Sequence, residues 1–259
     1  MIEPVRRVAI HGGGDLDHGD ANRGDGDAER DLRDGDAERD LRDAVETNGG
    51  LLTDPADADV VVAVGERALS AAARGDGSAP VLPIGTGRFA VPHRVGAAAV
   101  EALLDGRGRS WDHPLLTVTV GDREPVGTAL FDVTLLTKEP ARISEYGVSF
   151  PAGRTSTFRG DAVVVATPLG SDGYAGAAEG PTLEPGTGLS VVPVAPFTTR
   201  PDAWVVPDRV TLSVERDEEP VSVVLDDRRR GTVPPYEPIV VAATGRIEIV
   251  SVPTTDAPE

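Results

Sequence analysis

Cysteine is absent from the 259 residues, and lysine occurs once, as Lys138. Without thiols, neither a disulfide framework nor a thiolate metal site can form. The balance of 43 acidic against 25 basic residues, net charge −18, leaves no basic stripe to displace counterions from phosphates. Nucleic acid is therefore not an expected partner. Long apolar runs are missing too: a run such as Val60 to Val64 is far too short to span a bilayer, and Met1 to Ile10 carries charge without an apolar leader core. The sequence predicts a cytoplasmic protein without membrane association. Its acidic, lysine-poor surface suits a salt-rich, halophilic setting, where high net charge keeps a chain soluble by self-repulsion. The four histidines, His11, His18, His93 and His113, show no ligand spacing, so no metal-binding residues are expected.

What is present divides into two halves. In the first, Val8–Ile10, Leu51–Thr53, Val60–Val64 and Pro80–Ile84 read as strands, with helices over 67–74 and 95–104 between or after them. Strands alternating with helices predict a parallel α/β sheet. Beyond about Trp111 the pattern becomes strands between turns: 117–120, 129–136, 146–150, 163–166, 189–194, 210–214, 221–225, 239–243 and 247–252. The expected organisation is an α/β domain over 1–112 and a β-rich, sandwich-like nucleotide-binding domain over 113–259.

Within the first half, the nine residues DGDAERDLR occur twice in tandem over Asp25 to Arg42. At nine-residue spacing Leu32 and Leu41 fall on opposite faces of a helix, and two copies are too few for a solenoid. Asp25, Asp27 and Glu29 follow the start of a calcium loop, but Arg30 stands where the turn needs glycine. The segment 15–43 is thus expected to be a solvated acidic insertion without chemistry. The turn His11-Gly12-Gly13-Gly14 fails the dinucleotide fingerprint, because Asp17 occupies the place of the last glycine.

The stretch Val163 to Pro181 concentrates the chemistry. A β-branched run feeds the turn Thr167-Pro168-Leu169-Gly170-Ser171, a short small-residue segment follows, and Gly180-Pro181 closes it. Read locally, this is either an ordinary strand-turn-helix corner or a loop offering backbone N–H groups, hydroxyls and the Tyr174 ring to a nucleotide.

Residues Thr167 to Pro181 resemble the signature of the NAD kinase family, T-P-T-G-S-T-A-Y followed by S-A-G-G-P, departing from it at Leu169, Asp172, Gly173 and Glu179. Further segments match in order. Val64 to Ala68 stands in the place of the family's G-G-D-G-T loop, and Pro83 to Gly87 resembles its G-I-N-x-G turn. Ala129-Leu130-Phe131-Asp132-Val133 is similar to A-L-N-[DE]-V, Gly160-Asp161 to G-D-G, and Val192 to Phe197 with Arg200-Pro201 to P-I-x-P-H…R-P.

The resemblance implies phosphoryl transfer from ATP or polyphosphate to the 2′-hydroxyl of NAD, with Mg²⁺ on the donor phosphates and a homo-oligomeric assembly. It casts Glu66 as the base, because Glu66 replaces the family's aspartate; the alternative is a first-turn acid serving the helix dipole. The same resemblance puts Gly65, Arg67, Asp132, Asp161, Thr167, Gly170, Ser171 and Tyr174 on the nucleotide. Val64 and Arg67 replace two glycines, which restricts the backbone, while Arg67 adds a positive charge. Phe131 replaces an asparagine and can stack but not hydrogen-bond through its ring. These substitutions leave a second reading open, a non-catalytic nucleotide-binding or regulatory protein of the same fold.

Overall fold

The computed structural model describes residues 5–12, 25–75, 77–85, 87–138, 143–198, 202–216 and 220–253, with the backbone alone over 25–33. The chain divides into two compact units, Met1–Asp112 with Ile247–Glu259, and His113–Arg246.

The first unit is built on strands β1 (Arg7–His11), β2 (Leu51–Leu52), β3 (Val60–Val64) and β4 (Val81–Ile84). They pair in parallel in the order β2-β1-β3-β4. Every residue of β3 is buried, as an uninterrupted β-branched run predicts for a strand covered on both faces. Helices α1 (Asp25–Thr47), α2 (Gly65–Arg74) and α3 (Gly96–Leu104) supply the cover. Helix α1 ends where Gly49 takes a left-handed conformation (φ +78) and the Gly50 amide returns to the Val45 carbonyl at 2.8 Å.

The tandem repeat departs from its expectation. From Asp25 onward it is helical, and its second copy, expected to be wholly solvated, sends Leu41 into the core; the remainder, 15–24, lies outside the described residues. Leu41 and Val45 are buried among Val8, Val62, Ala99 and Leu103, with Ala37 and Ala44 packed beside them. The apolar stripe therefore runs 37, 41, 44, 45, at helical spacing. It starts inside the repeat and continues past its end, so the nine-residue spacing of the leucines hides it.

The second unit continues from β5 (Arg109–Val120) through β6 (Gly127–Ala129), β7 (Asp132–Thr137), β8 (Ser144–Ser149), β9 (Thr155–Gly160) and β10 (Ala162–Ala166). After the short helix α4 (Tyr174–Ala177) come β11 (Leu189–Val194), β12 (Trp204–Val206), β13 (Arg209–Arg216), β14 (Val221–Leu225), β15 (Arg228–Val233) and β16 (Ile239–Ser251), of which the residues from Ile247 onward belong to the first unit. One antiparallel sheet runs β12-β11-β10-β7-β14-β15. A second antiparallel set, β16-β13-β8-β9 with the β5–β6 pair, faces it. Alternate residues of each set fill one core: Val133, Leu135, Val163, Val165 and Val223 from the first, Leu116, Tyr146, Val148, Leu212 and Val241 from the second. The α/β unit followed by a β-rich unit is the fold class that the sequence predicts.

Three strands escape the hydrophobic pattern. β9, β12 and β15 are edge strands, where one side of the ladder is free and polar residues such as Thr155, Arg228 and Arg230 are tolerated. The expected strand 129–136 is broken at Leu130-Phe131, because the amides there bond a side chain instead of a neighbouring strand.

Candidate functional site

In the first unit the candidate residues occupy the turn from β3 into α2. Gly65 sits at φ +83, a conformation that disfavours any side chain. Glu66 and Arg67 follow in the first turn of α2, both exposed. The turn also holds a residue that sequence reasoning misses. The Asp34 carboxylate, from the second repeat, lies over Gly65 so closely that a Cβ there would stand 2.7 Å from its Oδ2. Its Oδ1 is 3.3 Å from His93 Nε2. One helical turn on, the Glu38 carboxylate covers Gly12 at the end of β1 in the same way. Two carboxylates of α1 thus lie over the C-terminal ends of adjacent parallel strands, the edge where open α/β sheets bind ligands. Only the four-residue spacing of Asp34 and Glu38 hints at this in the sequence.

In the second unit the site is built from β10. Val163 and Val165 face the sandwich core, while Val164 and Ala166 pack on Ala175 and Val192. Both faces being buried, the strand delivers Thr167 into the interior, where its residue is fully covered. The Thr167 hydroxyl donates to the carbonyls of Leu130 (2.7 Å) and Phe131 (3.0 Å), and its amide to Phe131 (2.9 Å). Ser171 is equally buried. Its hydroxyl donates to the Pro168 carbonyl at 2.9 Å and accepts from the Leu183 amide at 3.1 Å. Both hydroxyls therefore shape the loop. Leu169, where the motif carries threonine, is buried as well.

Gly170 is required by contact. A Cβ there would lie 2.6 Å from the Phe131 carbonyl carbon and 3.0 Å from its Cα, both backbone atoms. Glycine is needed again past α4, but Glu179 occupies that place at φ +62. The Gly180 amide closes the turn onto the Ala175 carbonyl at 2.9 Å. Since a left-handed backbone disfavours an ordinary L-residue, Glu179→Gly is expected to stabilise the fold by about 0.5–1 kcal/mol after the entropy of the added glycine is deducted. Denaturant unfolding of the two proteins measures it.

The polar rim is acidic. Asp132, paired with Ala166 across the ladder, accepts the Thr134 hydroxyl at 3.0 Å. Asp161 lies beyond the other end of β10, where its amide bonds the Val194 carbonyl (3.0 Å) and its carbonyl accepts the Tyr146 hydroxyl (3.1 Å). Tyr174 is 43% exposed. Partial burial, then the charges of Asp161 and Asp132, raise its phenol above the ordinary value. The structure so brings Asp132, Asp161, Thr167, Gly170, Ser171 and Tyr174 into one unit, while Gly65, Glu66 and Arg67 belong to the other.

Two groups, a half-buried carboxylate and a buried imidazole, support the loop from behind without a motif to announce them. The Asp226 carboxylate accepts the amides of Leu130, Phe131 and Asp132. His113, fully covered, donates Nε2–H to the Leu130 carbonyl at 3.1 Å. Burial lowers its pKa to about 4 from 6.5. The unfolded chain takes up this proton first, so the stability tied to neutral His113 is intact above pH 6.5 and lost as pH falls towards 4, about 3 kcal/mol in all. In His113→Gln that decline is expected to flatten between these limits, as followed by unfolding at a series of pH values.

Residues 130–254 match the family described as ATP-NAD kinase C-terminal domain. The chain is 33% identical to the NAD kinase of Methanopyrus kandleri over 154 residues, 57% of this chain and 55% of that one. It is 29% identical to the Thermoplasma acidophilum NAD kinase over 194 residues, 71% and 70% of the two chains. With 55% of the first relative covered and 40% of the Methanosarcina barkeri NAD kinase, the chain spans about half the length of such relatives. Among solved structures, yeast NADH kinase complexed with NADH superimposes with a TM-score of 0.69 at 15% identity, covering 98% of this chain and 85% of that one. An NAD kinase from Archaeoglobus fulgidus in complex with ATP gives 0.63 at 19% identity, covering 94% and 92%. At those identities the structural likeness concerns the fold.

Proposed function

Starting from the membership of this chain in the NAD kinase family, we propose that it transfers a phosphoryl group from ATP or polyphosphate to the 2′-hydroxyl of NAD, giving NADP. The observation that carries this reading is the loop after β10, fixed by buried hydroxyls, with Asp132 and Tyr174 beside it and Asp161, from the other end of β10, near enough for its charge to act on Tyr174. Carboxylates accept hydrogen bonds from ribose hydroxyls, and a phenol ring offers a face for stacking. Thr167, Gly170 and Ser171 act by holding the loop in shape.

Glu66 takes the proton from the attacking hydroxyl, a task that an exposed carboxylate in a first helical turn can perform. Gly65 leaves room at the turn, and Arg67 offers a cation to the donor phosphates. Among the described residues no group of three or more His, Asp or Glu side chains gathers to hold a metal. The proposed Mg²⁺ would arrive on the donor phosphates, since Mg²⁺ keeps waters and takes few protein ligands. When bound it neutralises charge on the transferring phosphate, which matters beside so acidic a rim. A homo-oligomer working in a salt-rich cytoplasm belongs to the same proposal, motivated by the net charge of −18 and the family resemblance.

The second reading, nucleotide binding without turnover, draws on Asp34. A carboxylate over Gly65 puts negative charge where a donor phosphate is expected. Calorimetry at high salt separates the readings from each other and from failure. The kinase reading expects NAD and ATP both to bind and NADP to accumulate; binding without NADP favours the second reading, and no binding of either nucleotide overturns both.

A further inference from the structure

Asp226 stands in the two-residue turn between β14 and β15, outside every motif of the sequence. Its backbone is left-handed, φ +54, a conformation that Asp and Asn tolerate better than most residues. Oδ1 accepts the amides of Leu130 (3.0 Å), Phe131 (2.7 Å) and Asp132 (3.3 Å), and Oδ2 accepts Leu130 again at 3.2 Å. The Asp226 amide donates in return to the Asp132 carbonyl at 2.9 Å. The peptide groups of 130–132 are therefore clamped at the point where the expected strand breaks. Those same peptides carry the carbonyls that receive Thr167 and the surface on which Gly170 rests. A carboxylate 95 residues distant in sequence from Phe131 thus sets the geometry of the loop through one intervening layer of backbone.

We propose that Asp226 is a positioning residue for nucleotide binding: by holding the 130–132 amides it fixes both the carbonyl seats of the Thr167–Ser171 loop and the placement of Asp132 at the rim. This rests on the nucleotide-binding reading of the loop. Charge matters to the clamp, because one oxygen serves three amides, and an ionised acceptor holds such bonds more strongly than a neutral one. A carboxamide retains an oxygen at Oδ1 but turns an N–H toward the Leu130 amide in place of Oδ2.

The test uses the full chain in wild-type, Asp226→Asn and Asp226→Ala forms, with Val241→Ala as a core control that lowers stability away from the clamp. Amide hydrogen exchange of 130–132 and 167–173 is expected to rise about tenfold or more in Asp226→Ala and by less in Asp226→Asn, with β11 amides unchanged. The KM for NAD is expected to rise about tenfold in Asp226→Asn with kcat nearly constant, while Val241→Ala lowers the melting temperature and leaves KM alone. Loop amides as protected as in wild type overturn the inference whatever the turnover, and so does a loosened loop with an unchanged KM. Should Asp226→Ala fail to fold, Asp226→Asn decides by both readouts. If wild type neither binds nor converts nucleotide, the nucleotide reading falls and takes the binding role with it, while exchange still judges the link from Asp226 to the loop.

Discussion

Glu66→Gln is expected to slow NADP formation by about 10²- to 10⁴-fold while leaving the melting temperature almost unchanged. Glu66 is exposed in the first turn of α2, so its replacement removes no packed atoms. An acid in this place favours the helix N-terminus by about 0.3–1 kcal/mol, and glutamine keeps the side chain's length. The glutamine keeps the shape and the hydrogen-bonding reach and cannot take a proton. Rate and stability therefore separate the two roles that the sequence leaves open for this residue. A large rate loss at constant stability supports the base, whereas equal rates with a slightly lower melting temperature reduce Glu66 to a dipole partner. Steady-state assays of NADP formation beside thermal unfolding supply both numbers.

Gly170→Ala is expected to cost more than about 2 kcal/mol and to abolish nucleotide binding. The added methyl meets the Phe131 carbonyl carbon at 2.6 Å and Phe131 Cα at 3.0 Å, backbone atoms that cannot swing aside. Phe131 is itself clamped through its amide by Asp226 and loaded through its carbonyl by Thr167. Relief must come from moving the loop, which displaces the Thr167 hydroxyl from its carbonyls. Gly173→Ala is the matching control. The new Cβ would be 3.4 Å from the Gly170 carbonyl oxygen, an ordinary contact, so a loss smaller than at Gly170 is expected. Equal losses at both positions would show that the loop tolerates no substitution for some reason other than the Phe131 contact.

The parts of the fold legible in the sequence are those where burial alone dictates the residue. Val60–Val64 and Ala162–Ala166 read as buried strands because both of their faces are covered and nearly every position must be apolar. Edge strands β9 and β15 answer to no such demand and were invisible for that reason. The helix of the tandem repeat was hidden by its own regularity: the stripe at Ala37, Leu41, Ala44 and Val45 has helical spacing, whereas the repeat that catches the eye does not.

The candidate site was legible at the loop itself, since Pro168, Gly170 and Ser171 stand together in one short segment. What holds the loop was not. Asp226, His113 and Asp34 act across long sequence separations, and no local spacing connects them to Thr167 or Gly65. The direction of a hydroxyl is likewise a tertiary fact. Thr167 and Ser171 read as ligand-facing groups in sequence, yet buried hydroxyls must find partners, and here the nearest are backbone carbonyls.

The most direct measurement is the formation of NADP by the wild-type chain, incubated at high salt with NAD, Mg²⁺ and either ATP or polyphosphate. Phosphoryl transfer to NAD predicts NADP accumulating in proportion to enzyme with at least one donor. Nucleotide bound in full with no NADP above the enzyme-free control, for either donor, would contradict it.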